Sequence, residues 1–161
     1  MTQEQKLYEL FDELGIAYTI YEHEALFTVD QAQEAEKNIP GTHCKNLFLK
    51  DDKKRFWLLV AYNRAAVDLR KIAHALNAKG LRFAQPELLD QYLGLKPGSV
   101  TPFGLINDTE RAVHVILDEN LLKSELVGFH PLRNTATVTL MPQDLLKFLK
   151  HQGNALSVYT L

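Results

Sequence analysis

Four groups able to do chemistry stand side by side in His43-Cys44-Lys45-Asn46, between the turn pair Pro40-Gly41 and the apolar run Leu47-Phe48-Leu49. A turn leading into such a run predicts a loop that feeds a strand. That setting gives reactive side chains rigid support together with access to solvent. Alternate residues of an extended chain point to opposite faces. Lys45 therefore shares a face with Leu47 and Leu49, while Cys44 and Asn46 share the other with Phe48. Lys45 and Cys44 should not serve the same pocket. A lysine at the head of an apolar strand can be desolvated, which lowers its pKa. It can equally lay its stem along apolar surface and leave its ammonium in water, and the residues alone favour this plainer role.

Other constellations are weaker. The six histidines, His23, His43, His74, His114, His130 and His151, include no pair at zinc-finger or HExxH spacing, and one cysteine cannot build a thiolate site. No structural metal and no cofactor are expected. Cys44 could pair with His130 or His114 as a nucleophile, but a lone cysteine is more often buried and inert. Gly94-Leu-Lys-Pro-Gly-Ser99 lacks the Gly-Lys-Ser/Thr end of a phosphate-binding loop, and no GxGxxG occurs. The loop Pro97–Gly104, with two prolines and two glycines, can present backbone N–H groups to a carbonyl or oxyanion. The turn His130-Pro-Leu-Arg-Asn134 sets an imidazole and an amide close together. Two basic groups, Arg70, Lys71, Lys79 and Arg82, and Lys50, Lys53, Lys54 and Arg55, read as solvated surface or as phosphate contacts.

Capping boxes at Thr2/Gln5 and Thr28/Gln31 predict helices over 2–14 and from Thr28 to about Glu36. Strands are expected at 18–21, and at 44–50 and 56–61 as a hairpin across Asp51–Lys54. Asp68 caps a further helix, 81–84 reads as a short strand, and Pro86 opens a helix ending at Gly94. The runs 105–107 and 112–117 read as a second hairpin, 118–122 as a helical turn, 126–129 and 135–140 as strands, and Pro142 opens a last helix to about Lys150. Strands outnumber helices and neighbours join by short turns. The fold class is α+β: one domain over 1–161, a mainly antiparallel or mixed, barrel-like sheet surrounded by helices.

Composition agrees. The chain has 161 residues, 46% apolar and 24% charged, which suits one domain with a sizeable core. Eighteen Lys and Arg against 20 Asp and Glu give a net charge of −2, so any polyanion contact must come from a local patch. A single cysteine excludes an intrachain disulfide and fits a cytoplasmic setting. The N-terminal residues lack a signal-peptide apolar core, and no run approaches the roughly 20 residues of a membrane span.

In order along the chain, Glu22-His23 with Phe27-Thr28-Val29-Asp30, then Lys45-Asn46-Leu47-Phe48-Leu49, then Gly98-Ser-Val-Thr-Pro-Phe-Gly104, then His130-Pro131 with Asn134-Thr135, resemble the YbaK/prolyl-tRNA editing family. The likeness spans most of the chain and is greatest to the free-standing branch that removes alanine from tRNA(Pro), called ProXp-ala or PrdX-like. The resemblance implies hydrolysis of the ester between a wrong amino acid and tRNA, without metal or covalent protein intermediate. It assigns Lys45 to the substrate at the 3′-terminal adenosine and, with His130, to catalysis. Gly98, Ser99, Val100, Phe103 and Gly104 would line the aminoacyl pocket, with Phe103 as the candidate size limit. Asn134 would stand with His130 in a second wall, and Thr28 and Asn46 match further motif positions. Arg70, Lys71, Lys79 and Arg82 would meet the tRNA acceptor end, and prolyl-tRNA synthetase is a candidate transient partner. A second sieve is chemically sensible, because missing methylenes let a synthetase discriminate by only ~1–3 kcal/mol each. Editing of cysteinyl, seryl or threonyl esters, a non-catalytic aminoacyl-tRNA or synthetase binding module, and a cysteine hydrolase are the alternatives.

Overall fold

The computed structural model describes the backbone of residues 1–161 and every side chain except that of Val29. Helix α1 (Gln3–Leu14) starts where expected: Thr2 Oγ1 accepts from Gln5 N–H at 3.1 Å, and Gln5 Oε1 accepts from Thr2 N–H at 2.8 Å. It ends at Gly15, whose φ of 69° belongs to the left-handed region. Strand β1 (Tyr18–Glu22) follows, then α2 (Val29–Asn38), opened by the same reciprocal bonding between Thr28 and Gln31. Gly41 turns the chain into β2 (Thr42–Lys50) at φ 97°; a Cβ there would meet Leu126 Cβ at 2.9 Å, so the position needs glycine.

β2 and β3 (Phe56–Tyr62) form the expected hairpin. After them come α3 (Leu69–Leu76), β4 (Arg82–Phe83), α4 (Pro86–Leu93), a 3₁₀ segment (Pro102–Asn107), β5 (Val113–Asp118), a second 3₁₀ segment (Glu119–Lys123), β6 (Val127–Phe129), β7 (Ala136–Leu140), α5 (Pro142–Gln152) and β8 (Leu156–Tyr159). The sheet runs β1-β7-β6-β2-β3-β5-β8, with β4 also paired to β2. It is mixed: β2 runs parallel to β6, β3 to β5 and β5 to β8, and the other pairings are antiparallel.

Both faces of the central strands are covered, which is why β3 reads as continuous apolar residues. Phe48, Leu58 and Val60 face a core with Leu7, Phe11, Phe103, Phe129 and Phe148. Leu49, Trp57, Leu59 and Ala61 face a second core with Ile72 and Ile116. The alternation expected along β2 is therefore present: Cys44 packs with Phe48 toward the first core, Leu47 with Leu49 toward the second.

The structure departs from the expected elements at three places. Residues 105–107 do not form a hairpin with 112–117. They close a 3₁₀ segment that Thr101 Oγ1 starts by accepting from Phe103 N–H at 3.3 Å, and β5 pairs parallel to β3 and β8 instead. A three-residue apolar run cannot by itself separate strand from helix, and Pro102 pre-sets helical φ. Strand β8 lies beyond the last element expected. The run proposed over 81–84 shortens to Arg82–Phe83.

Candidate active site

The parallel pairing of β2 with β6 sets Thr42 opposite Val127 and His43 opposite Gly128. The loop of residues 130–135 then leads to β7, which returns antiparallel with Phe129 opposite Val138. The heads of β2 and β6 and the chain around His130 so enclose a cavity of about 100 Å³. Asn46 and Cys44 line it from β2, Phe129 and His130 from β6 and the residue after it, and Thr137 from β7. Ala32 and Glu36 of α2, one helical turn apart, close the remaining side.

His130 Nδ1 lies 2.9 Å from the carbonyl oxygen of Ala136. A carbonyl only accepts, so Nδ1 carries the proton. Burial lowers the His130 pKa, assisted by His23 and His43 and opposed by the Ala136 bond. The imidazole is held neutral with a lone pair on Nε2, the form a general base needs. His23 stands beside it, with Nδ1 2.7 Å from Glu24 O and Nε2 2.9 Å from Thr137 Oγ1. The two rings stand edge to face with centroids 6.2 Å apart.

The turn after His130 is strained and clamped. Leu132 has φ 72°, uncommon for a bulky side chain. Next to it, Arg133 bonds Glu4 Oε1 at 2.7 Å from α1 and Glu22 Oε1 at 2.7 Å from β1. Those pairs raise the Arg133 pKa, and the arginine holds the Glu22 carboxyl below its ordinary value. Asn134 follows, and a Cβ added to Gly98 would lie 4.0 Å from Asn134 Nδ2. The glycine-rich loop and the His130 turn therefore meet at Gly98 and Asn134.

The other residues singled out from the sequence are placed as follows. Lys45 lies on the face away from the cavity, its Nζ donating to Ala65 O at 2.6 Å. Thr28 caps α2. Ser99 N–H is taken by Lys96 O at 3.0 Å, and Val100 packs against the first core. Phe103 is fully buried among Phe11, Phe129 and Phe148, and Gly104 is buried against Leu93 and Leu95. Phe103 thus lies behind the Phe129 wall and does not border the cavity. Arg70, Lys71, Lys79 and Arg82 are exposed; Arg70 and Lys71 stand in the first turn of α3, whereas Lys79, whose O accepts from Asp52 N–H at 2.9 Å, and Arg82, paired to Asp52 at 3.0 Å, lie at the far end of β2. The eight residues from His43 to Lys50 span roughly 23 Å of strand.

Cys44 borders the cavity, but burial pushes its thiol up to about 12, so no nucleophilic thiolate forms at neutral pH. Among the described residues, no three His, Cys, Asp or Glu come together as metal ligands, and no helix is long and apolar enough to cross a membrane.

A sequence pattern for the aminoacyl-tRNA editing domain matches residues 23–148. The chain belongs to that family. Its activity is that of an aminoacyl-tRNA deacylase, a hydrolase of the editing-domain type. Across its whole length this editing domain is 36% identical to the prolyl-tRNA editing protein ProX of Acetoanaerobium sticklandii, 99% of which is covered. It is also 36% identical to prolyl-tRNA synthetase associated domain-containing protein 1 of Danio rerio, over 91% of this chain and 80% of the relative. A crystal structure described as a candidate trans-editing enzyme for prolyl-tRNA synthetase shares the fold, with a TM-score of 0.74 at 20% identity, covering 100% of this chain and 98% of that one.

Sequence reasoning missed Glu36, Asn63 and Thr137 as neighbours of His130. Ala32 and Glu36 stand at i and i+4, which would reveal a helix face, but nothing local says what that face covers. Thr137 lies two residues before Thr139 in a strand that reads as uniformly buried.

Proposed function

We propose that this chain acts in trans on tRNA(Pro) that carries the wrong amino acid, alanine foremost, and releases it by hydrolysing the ester at the 3′-terminal adenosine. The observation that carries the proposal is the cavity of about 100 Å³ beside a neutral His130 imidazole. It admits a group of only a few heavy atoms and sets a free lone pair next to it.

An aminoacyl ester is already activated, so positioning and charge stabilisation supply much of the acceleration. Water attacks the carbonyl carbon while His130 Nε2 takes its proton. The ester C–O bond then breaks, the ribose oxygen receives the proton, and alanine leaves. Asn134 Nδ2 and the backbone N–H groups of Gly98 and Val100 are the donors we assign to the developing oxyanion, since Ser99 N–H already bonds Lys96. Lys45 is assigned to the terminal adenosine. Its ammonium carries three donors, and Ala65 O is its one hydrogen-bond partner among the described residues. Arg70, Lys71, Lys79 and Arg82 meet acceptor-stem phosphates while the amino acid occupies the cavity. Thr28 contributes by capping the helix that walls the cavity. Phe103 and Gly104 act by supporting Phe129 and the loop. The reaction belongs in the cytoplasm beside prolyl-tRNA synthetase, which supplies the mischarged tRNA.

The deciding experiment is hydrolysis of Ala-tRNA(Pro), with Pro-tRNA(Pro) and Cys-tRNA(Pro) run in parallel. Release of alanine and not proline is the expected result. Release of cysteine instead would change the substrate within the family. Binding of the charged tRNAs without release from any would replace catalysis with a carrier role.

A further inference from the structure

We infer that Glu36, together with the Asn46 amide, forms a subsite for the protonated α-amino group of the aminoacyl ester, so that the cavity selects a cationic acyl group as well as a small one. The inference rests on the deacylase reading above and concerns how that same site recognises its substrate.

Among the described residues that line the cavity, Glu36 is the one carboxylate. Its side chain is only 18% exposed. Its carboxylate is held in place: Oε1 accepts from Asn63 Nδ2, and Oε2 lies 3.4 Å from Arg64, whose side chain is 69% exposed. A carboxylate offers about four acceptor positions, and these contacts use two. Among the described residues no lysine or arginine lines the cavity; His43 does, with its Nε2 3.1 Å from Ile39 O. His130 is kept neutral, Lys45 is on the opposite face of β2, and Arg64 belongs to the outer groove. A partly desolvated anion facing a small enclosed space favours a cation there.

Asn46 supplies the second observation. It lines the same cavity, and its Oδ1 is buried with no hydrogen-bond partner. A buried amide oxygen without a donor is costly and marks a position that another molecule completes. An ammonium has three N–H donors and no acceptor, which suits one carboxylate and one amide oxygen. An alanyl ester carries such a group on the carbon next to the carbonyl carbon that His130 would serve. Its hydroxy-acid counterpart, a lactyl ester, has the same size and no positive charge.

The test compares alanyl-tRNA(Pro) with lactyl-tRNA(Pro), each rate divided by the spontaneous hydrolysis of the same ester, because the ammonium activates the ester by itself. The native protein should prefer the alanyl ester by about tenfold or more in kcat/KM, the scale of one charge-assisted hydrogen bond. Glu36→Gln should bring that ratio to within about threefold of unity. Arg64→Ala removes the outer pairing and keeps the carboxylate, so it should preserve the preference. Equal corrected rates in the native protein would overturn the inference and leave the deacylase reading standing. An unchanged ratio in Glu36→Gln would do the same, and so would an equal collapse in Arg64→Ala, which would make the pair structural. No alanyl release at all would remove both.

Discussion

His130 Nδ1 donates to the carbonyl oxygen of Ala136 across 2.9 Å, closing a loop of six residues back onto β7. The bond fixes the tautomer and the ring plane together. Burial then lowers the pKa, so the lone pair on Nε2 is present at neutral pH. Deacylation that uses this base should be flat around pH 7 and fall on the acid side, with a midpoint below the ordinary histidine value near 6.5. Stability should move the same way. The unfolded chain binds this proton more readily than the folded one, so the contribution is fully present above the unfolded pKa and is lost as pH falls through the folded one. A pH–rate profile of kcat/KM checks the first, and His130→Ala should lower the plateau by ~10² or more.

The assigned role of Lys45 is separable from its place in the sheet. If its ammonium meets the terminal adenosine, Lys45→Ala should lower single-turnover deacylation by roughly 10²-fold or more with the circular dichroism spectrum preserved. Lys45→Arg should not restore the rate, because a planar fork cannot take the place of a compact ammonium bonded to Ala65 O. A normal single-turnover rate in folded Lys45→Ala would return this residue to the plain strand-end role.

Much of this arrangement was legible in the sequence, for reasons that differ by residue. The opposite facing of Lys45 and Cys44 follows from the period of a strand, and the starts of α1 and α2 follow from capping chemistry that is local to four residues. His130 and Asn46 are visible as residue types; what they face depends on β2 lying parallel to β6, a long-range pairing that no local pattern encodes. The strain at Leu132 is likewise invisible, because leucine carries no signal for positive φ. Phe103 shows how a loop pattern can hide burial. An aromatic residue in a loop of glycines and prolines suggests a pocket wall, whereas the 3₁₀ segment turns it into the core.

That placement has a consequence for mutation. Phe103→Ala removes a ring packed against Phe11, Phe129 and Phe148, and should cost about 3–5 kcal/mol in urea unfolding. The more conservative Phe103→Leu should leave the exclusion of Pro-tRNA(Pro) intact. Proline release by folded Phe103→Leu would show that this side chain does set the size limit.

The cysteine gives the sharpest contrast between position and chemistry. Cys44 borders the cavity, yet its thiol, pushed up to about 12 by burial, stays protonated across the physiological range. Cys44→Ala should keep deacylation within about threefold of native, and iodoacetamide at pH 8 should modify the folded protein far more slowly than the urea-unfolded chain. Loss of activity in a folded Cys44→Ser variant, with Lys45→Ala active, would instead make this a cysteine hydrolase.

The clamp on the His130 turn links stability to activity. Arg133 ties α1 and β1 to the strained chain at Leu132, through Glu4 and Glu22. Replacing it with Met keeps the stem and removes five donors, so the turn loses the contacts that hold Leu132 in the left-handed region. Arg133→Met should lower Tm by several degrees. It should also lower kcat more than it raises KM, because Asn134 and His130 leave their positions while the cavity walls of β2 and α2 remain. Because Arg133 holds the Glu22 carboxyl low, the native clamp is fully present above the ordinary carboxylate pKa and weakens as pH falls through the folded one. The Tm difference between native and Arg133→Met protein should therefore shrink on acidification. A difference that stayed constant from pH 7 to the acid limit would show that the arginine acts by packing its stem and not by its charge.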